Sequence, residues 1–226
     1  MKLSERTVSL LKNFAGINPS ILIKPGNVLQ TINPMSSVIA TATIEESFPK
    51  EFAIYDLNQF LSAISMFKDC NIEFGEGYLE LKGEGSATIR YWCAEPSLIK
   101  SKVSEVKLPS EDVQFNLSET ALSKVLKAAS ILALPELAFA SNGDTLSVKA
   151  IDSRSSSSNS MDVELCKNES GSKFNIIFQV DNLKMLVQDY AVTVCAKGIT
   201  KFHSTGKNEY ELTYYVASSV HSTFAK

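Results

Sequence analysis

With 226 residues, of which 44% are hydrophobic and 21% charged, the chain can build one large or two modest cores and has none of the bias of a disordered or fibrous protein. Its formal charge of −3 argues against a molecule that binds nucleic acid over its whole surface, so a basic function must lie in how charge is distributed. No apolar run approaches the roughly 20 residues of a membrane helix, and Met1-Lys2-Leu3-Ser4-Glu5-Arg6 places charge where a signal peptide needs apolar residues, so a cytosolic protein with no membrane partner is expected.

In chain order, a Ser or Asp directly after an apolar residue recurs at Leu3-Ser4, Tyr55-Asp56, Leu117-Ser118 and Val180-Asp181, at intervals of about 60 residues, and each introduces a helical pattern. The apolar positions that follow have helical spacing: Val8, Leu11, Phe14; Phe60, Leu61, Ile64, Phe67; Leu122, Val125, Leu126, Ala129; Leu183, Leu186, Val187. After each helix the pattern alternates, as in Val38, Ala40, Ala42, Ile44 or Val163, Leu165, and a glycine turn follows. The period defines four copies of one strand-helix-three-strand unit. The fold class is therefore α+β, with two similar domains of two units each and helices on one face of antiparallel sheets.

The first unit opens on a strand at Met1 to Leu3, and the second ends in Thr88-Ile89-Arg90-Tyr91-Trp92-Cys93. These two units form a domain over 1–94. A connector spans 95–112, with two prolines and isolated apolar residues at Leu98, Ile99, Val103, Val106 and Leu108. The second domain covers 113–226. Its third unit has a helix from Ser118 to about Ile131, stopped before Pro135, and a serine-rich hairpin tip between Asp152 and Ser160. The fourth unit has the shortest helix, and Ser218 to Lys226 form a loose tail.

Catalytic and metal-binding patterns are missing. Cys70, Cys93, Cys166 and Cys195 are far apart, the histidines are only His203 and His221, and no zinc spacing results, so four reduced thiols are expected. Gly83-Glu84-Gly85-Ser86 lacks both the third glycine of a dinucleotide loop and the lysine of a phosphate loop, and a hairpin turn explains it. Asp56 and Asp181 are helix caps, and Glu5 and Glu119 favour first helical turns. No enzyme and no cofactor is expected.

The helix faces opposite the apolar stripes carry Arg6 and Lys12, Lys124 and Lys127, and Lys184. These residues either coat solvated surfaces or offer a phosphate backbone a salt-sensitive attraction that ignores base sequence. No base-reading helix or aromatic ribonucleoprotein motif accompanies them.

Several blocks resemble the sliding clamps of T-even-type bacteriophages over essentially the full length. They are Met1-Lys2-Leu3-Ser4 with Leu10-Leu11-Lys12-Asn13-Phe14-Ala15; Ala53-Ile54-Tyr55-Asp56-Leu57-Asn58 with Phe60-Leu61; Tyr91-Trp92-Cys93-Ala94 with Pro96-Ser97; and Ala196-Lys197-Gly198. The resemblance implies the DNA clamp fold and a homotrimeric ring that encircles duplex DNA, with no catalysis and no cofactor. It implies tethering of the replicative DNA polymerase, loading by a clamp-loader ATPase and support of late-transcription factors, in the cytoplasm of an infected bacterial host. By the same analogy Arg6, Lys12, Lys124, Lys127 and Lys184 face DNA, although Glu5 stands where a relative has a basic residue. Arg90 and Trp92 meet Val163 and Leu165 of the next subunit, and Leu108, Pro109 and Val216 line a pocket for partner peptides. Trp92 is equally well placed as a core aromatic. The competing reading is a structural oligomer that joins by sheet edges without DNA.

Overall fold

The computed structural model describes residues 1–101, 106–155, 157–206 and 211–225. The chain falls into two compact units, Met1–Ser104 and Glu105–Lys226.

In the first unit, α1 (Glu5–Ile17) is followed by β1 (Ile21–Ile23), β2 (Gly26–Ile32), β3 (Val38–Phe48) and β4 (Phe52–Ile54); then come α2 (Leu57–Ser65), β5 (Asn71–Phe74), β6 (Tyr78–Lys82) and β7 (Thr88–Trp92). Two local signals start the helices. The Ser4 hydroxyl accepts from the Thr7 amide at 3.2 Å and the Asp56 carboxylate from the Gln59 amide at 2.9 Å, which satisfies amides that have no partner within the helix. Leu10, Leu11 and Phe14 of α1 are buried with Leu57, Phe60 and Leu61 of α2. In β3, Val38, Ala40, Ala42 and Ile44 point inward and alternate with half-exposed neighbours, the period of a strand with one covered face. β1 pairs with β4, β2 with β3, and β5, β6 and β7 form an antiparallel ladder. The expected opening strand is reduced to a single pairing: Met1 N donates to Ile72 O and Ile72 N to Met1 O, both at 2.7 Å.

In the second unit, β8 (Val113–Leu117) leads into α3 (Glu119–Ile131), β9 (Glu136–Asn142), β10 (Thr145–Ile151) and β11 (Met161–Lys167); β12 (Lys173–Gln179), β13 (Tyr190–Cys195), β14 (Ile199–Ser204), β15 (Glu211–Ala217) and β16 (Thr223–Ala225) complete it. One sheet has the order β11-β10-β9-β12-β16, and β15, β14, β13 and β8 are consecutive neighbours in another. Edge-to-face contacts join the two layers, Phe115 meeting Phe139 at 5.0 Å and Phe202 meeting Phe178 at 6.1 Å. α3 ends in a Schellman motif: Leu134 N donates to Ala129 O at 2.8 Å and Ala133 N to Ser130 O at 3.4 Å. Ala133 takes the left-handed position, with φ of 52°, so the helix has already turned before Pro135.

Two expectations fail here. Asp181 does not cap a fourth helix; it lies in a single 3-10 turn, Val180–Asn182. The Leu186 amide instead donates to the Tyr214 hydroxyl at 3.2 Å, and the Tyr190 hydroxyl donates to Leu186 O at 2.6 Å, so tertiary bonds take the groups a helix would use. The C-terminal stretch is not loose. β16 pairs with β12, Ser219 N donates to Ile177 O at 2.7 Å, and Phe224 stacks on Phe174 at 5.6 Å with only 7° between the rings.

Within 95–112, a 3-10 turn at Pro96–Leu98 is followed by buried Ile99, and Lys100 Nζ donates to Pro34 O at 2.6 Å. Val103 lies outside the described residues. The serine-rich tract joins the antiparallel partners β10 and β11, and Ser156 within it lies outside the described residues.

Candidate functional site

The N-terminus of α1 is fixed from β3. Glu46 accepts from the Ser4 amide and from the Thr7 hydroxyl, the latter at 2.6 Å, and Thr7 is only 2% exposed. Burial works to raise the Glu46 carboxyl, but the bonds from Ser4 and Thr7 hold it on balance below the usual carboxylate range. This anchor orients the outer face of α1, where Lys12 is exposed and half-exposed Arg6 lies 3.9 Å from Glu45. The exposed face of α2, made by Asn58, Gln59, Ser62 and Ser65, carries no charge, and Lys68 follows the helix.

On α3, Lys124 and Lys127 stand three residues apart on the exposed face, with Ser123 beside them. Lys124 also lines a cleft of about 730 Å³ with Ser118, Thr120, Val163, Glu164 and Asp189. Lys184 is exposed but sits in the irregular stretch that replaces the expected helix, so its place in the sequence repeat does not give it a helical position. Among the described residues no cluster of His, Cys, Asp or Glu could hold a metal ion.

Each unit leaves a strand at the end of a sheet: β7 beside β6, and β11 beside β10. On β7, Trp92 is 67% exposed and meets Tyr78 edge-on at 5.4 Å, while the Arg90 guanidinium lies 4.5 Å above the same Tyr78 ring. Arg90 also reaches Glu80 at 3.3 Å, and Lys82 bridges Glu80 and Glu73. Lys82 first, and then Arg90, hold the Glu80 carboxyl below its ordinary range. Trp92 is thus a surface residue and not a core aromatic. Sequence reasoning passed over Tyr78, the platform for both residues; its signal is Gly75, where a Cβ would collide with the Tyr78 ring. On β11, Val163 and Leu165 are half-buried and line the cleft beside α3, and Asp162 pairs with Lys149 at 2.6 Å.

The three expected pocket residues differ in access. Leu108 is half-buried and Pro109 exposed, but Val216 is 1% exposed on the inward side of β15 and offers a docking peptide no side-chain surface. Neither cysteine that escapes full burial is an activated nucleophile. Desolvation pushes the Cys93 and Cys166 thiols upward, reinforced at Cys166 by Glu169.

Repeated strand-helix-three-strand units, helices on the sheets and open strand ends define the DNA clamp fold. PCNA from Thermococcus kodakaraensis superposes with a TM-score of 0.68 at 15% identity, over 94% of this chain and 96% of that one. A. fulgidus PCNA, bound to the C-terminal region of FEN-1, gives 0.70 at 14% identity over 96% of each chain. The H. pylori beta clamp gives 0.71 at 9% identity, over 97% of this chain and 65% of that one. In sequence, residues 2–91 match the family described as DNA polymerase processivity factor, and residues 114–219 match gp45 sliding clamp, C terminal. The sliding clamp of Vibrio phage KVP40 is 30% identical over 223 residues, 96% of this chain and 99% of that protein. The sliding clamp of Enterobacteria phage T4 is 27% identical over 231 residues, 99% of each. The chain belongs to the bacteriophage sliding-clamp family of DNA polymerase processivity factors.

Proposed function

We propose that this chain closes with two copies of itself into a ring around duplex DNA and tethers the replicative DNA polymerase there. The observation that carries the reading is that each unit has a strand at the end of a sheet, β7 in one and β11 in the other. Two different edges on one chain make a heterologous contact, which gives a ring when its rotation closes. The strand that carries Arg90 and Trp92 would meet the strand that carries Val163 and Leu165 at each junction. Arg6, Lys12, Lys124, Lys127 and Lys184 would face the DNA, where a few exposed cations attract phosphates without reading bases. The ring would hold by enclosure and needs no catalytic group or cofactor.

The domains are 1–94 and 113–226, with 95–112 as connector. Leu108 and Pro109 are the proposed peptide-docking residues, in line with a PCNA that holds the C-terminal region of its partner. The further partners proposed are a clamp-loader ATPase and late-transcription factors in the host cytoplasm, a reading supported by likeness to phage sliding clamps. Light scattering coupled to sizing tests the assembly: three chains per particle is the expected mass, whereas a stable monomer or an open filament contradicts the ring.

A further inference from the structure

Resting on that ring, we infer the register of its junction: β7 pairs antiparallel with β11 of the next copy so that Arg90 faces Glu164, Tyr91 faces Val163, Trp92 faces Asp162 and Cys93 faces Met161. Every ladder in the two sheets that contain these strands is antiparallel. The two edges also share a burial rhythm. On β7, Thr88, Arg90 and Trp92 are exposed while Ile89 and Tyr91 are half-buried; on β11, Asp162 and Glu164 are exposed while Met161, Val163 and Leu165 are half-buried. The half-buried side of β7 lies toward α2, since Tyr91 packs on Phe60 at 5.2 Å and its hydroxyl donates to Asp56 O at 3.1 Å. That of β11 lines the cleft beside α3. Joining like side to like side admits only registers that differ by two residues, because a slip of one exchanges the faces.

Charge and ladder geometry choose among them. Asp162 is already neutralised by Lys149, whereas the Glu164 carboxylate has no ion-pair partner among the described residues. Sliding two residues one way sets Arg90 against Asp162 and leaves Glu164 opposite Thr88. Sliding the other way sets Tyr91 against Leu165, where the β10–β11 ladder bulges between Leu146 and Ser147, and sets Arg90 against Cys166. Only the inferred register brings the unpaired carboxylate to Arg90, whose guanidinium then lies between Glu80 and Glu164, sets Tyr91 against a β-branched residue, and keeps residues 90–93 on the regular part of β11.

The native Cys93 reports the register. Directly opposed residues in an antiparallel pair have Cα atoms about 4.5 to 5.5 Å apart, within disulfide range. In a Cys166→Ser background, Met161→Cys, Val163→Cys and Asn159→Cys each place a thiol opposite Cys93 in one of the three registers. Mild oxidation of the assembled protein followed by non-reducing electrophoresis should link chains at least about tenfold faster in Met161→Cys than in the other two. Faster linkage in Val163→Cys or Asn159→Cys, or a trimer that links in none, overturns the register while the ring stands. A monomer in light scattering overturns the ring itself. As a second readout, the effects of Arg90→Ala and Glu164→Ala on trimer dissociation should be less than additive, and those of Arg90→Ala and Asp162→Ala additive. The reverse pattern also overturns the register.

Discussion

Replacing Glu46 tests whether α1 is held in place from β3. The carboxylate accepts the Ser4 amide and the Thr7 hydroxyl, two bonds to a charged group at the first turn of the helix. Such bonds are worth about 1.5 to 3 kcal/mol each when buried. Glu46 is half-exposed, so solvent screening reduces each to about 1 kcal/mol. Glu46→Ala should then cost about 2 kcal/mol, or about 4 to 8 °C in melting temperature for a chain of this size. Glu46→Gln, which keeps an acceptor oxygen and loses the charge, should cost about half as much. Because the folded carboxyl sits below its ordinary value, the stabilisation is complete above the unfolded pKa of about 4.3 and disappears as pH falls through the lower folded value. Urea titrations of wild type and Glu46→Gln should therefore differ at pH 7 and converge toward pH 3. Equal stability at pH 7, or a difference that persists unchanged into acid, would refute the anchor.

Three other perturbations have definite outcomes. Ala133→Gly relieves a left-handed residue at the end of α3 and should stabilise the protein by about 0.5 to 1 kcal/mol in thermal melts; destabilisation would contradict the Schellman assignment. Phe224→Ala removes the ring stacked on Phe174 and should cost about 1 to 2 kcal/mol, less than a fully buried Phe because Phe224 is half-exposed. No loss in denaturant titration would show that β16 is held by its backbone alone. Replacing Lys12, Lys124 and Lys127 together by Ala should weaken DNA binding and reduce the salt slope of log K by up to about 3, with assembly unchanged. An unaltered slope would place the phosphate contacts elsewhere.

Local chemistry was legible in the sequence where neighbours in the chain decide the outcome. Ser4, Asp56 and Ser118 accept helix amides three residues on, as their positions after apolar residues imply. The alternation of Val38, Ala40, Ala42 and Ile44 gives β3 its buried face. Features set by distant partners were not legible. Asp181 has the same sequence setting as Asp56, yet hydroxyls of Tyr190 and Tyr214 capture the Leu186 backbone and the helix is lost. The C-terminal residues look polar and loose until Ile177 and Phe174 supply partners. Glu46 reads as one more surface carboxylate on β3, since Thr7 lies 39 residues away. At the candidate site, the lysines of α1 and α3 were legible from helical spacing; the glycine turn announces the β6–β7 hairpin, but the register that perches Arg90 and Trp92 on Tyr78 is not written in it.

The central claim is topological and retention on DNA tests it most directly. Once loaded on nicked circular DNA, the protein should persist through a high-salt wash, and cutting the circle once should release it from the free ends. Equal loss from circular and linear DNA would contradict holding by enclosure.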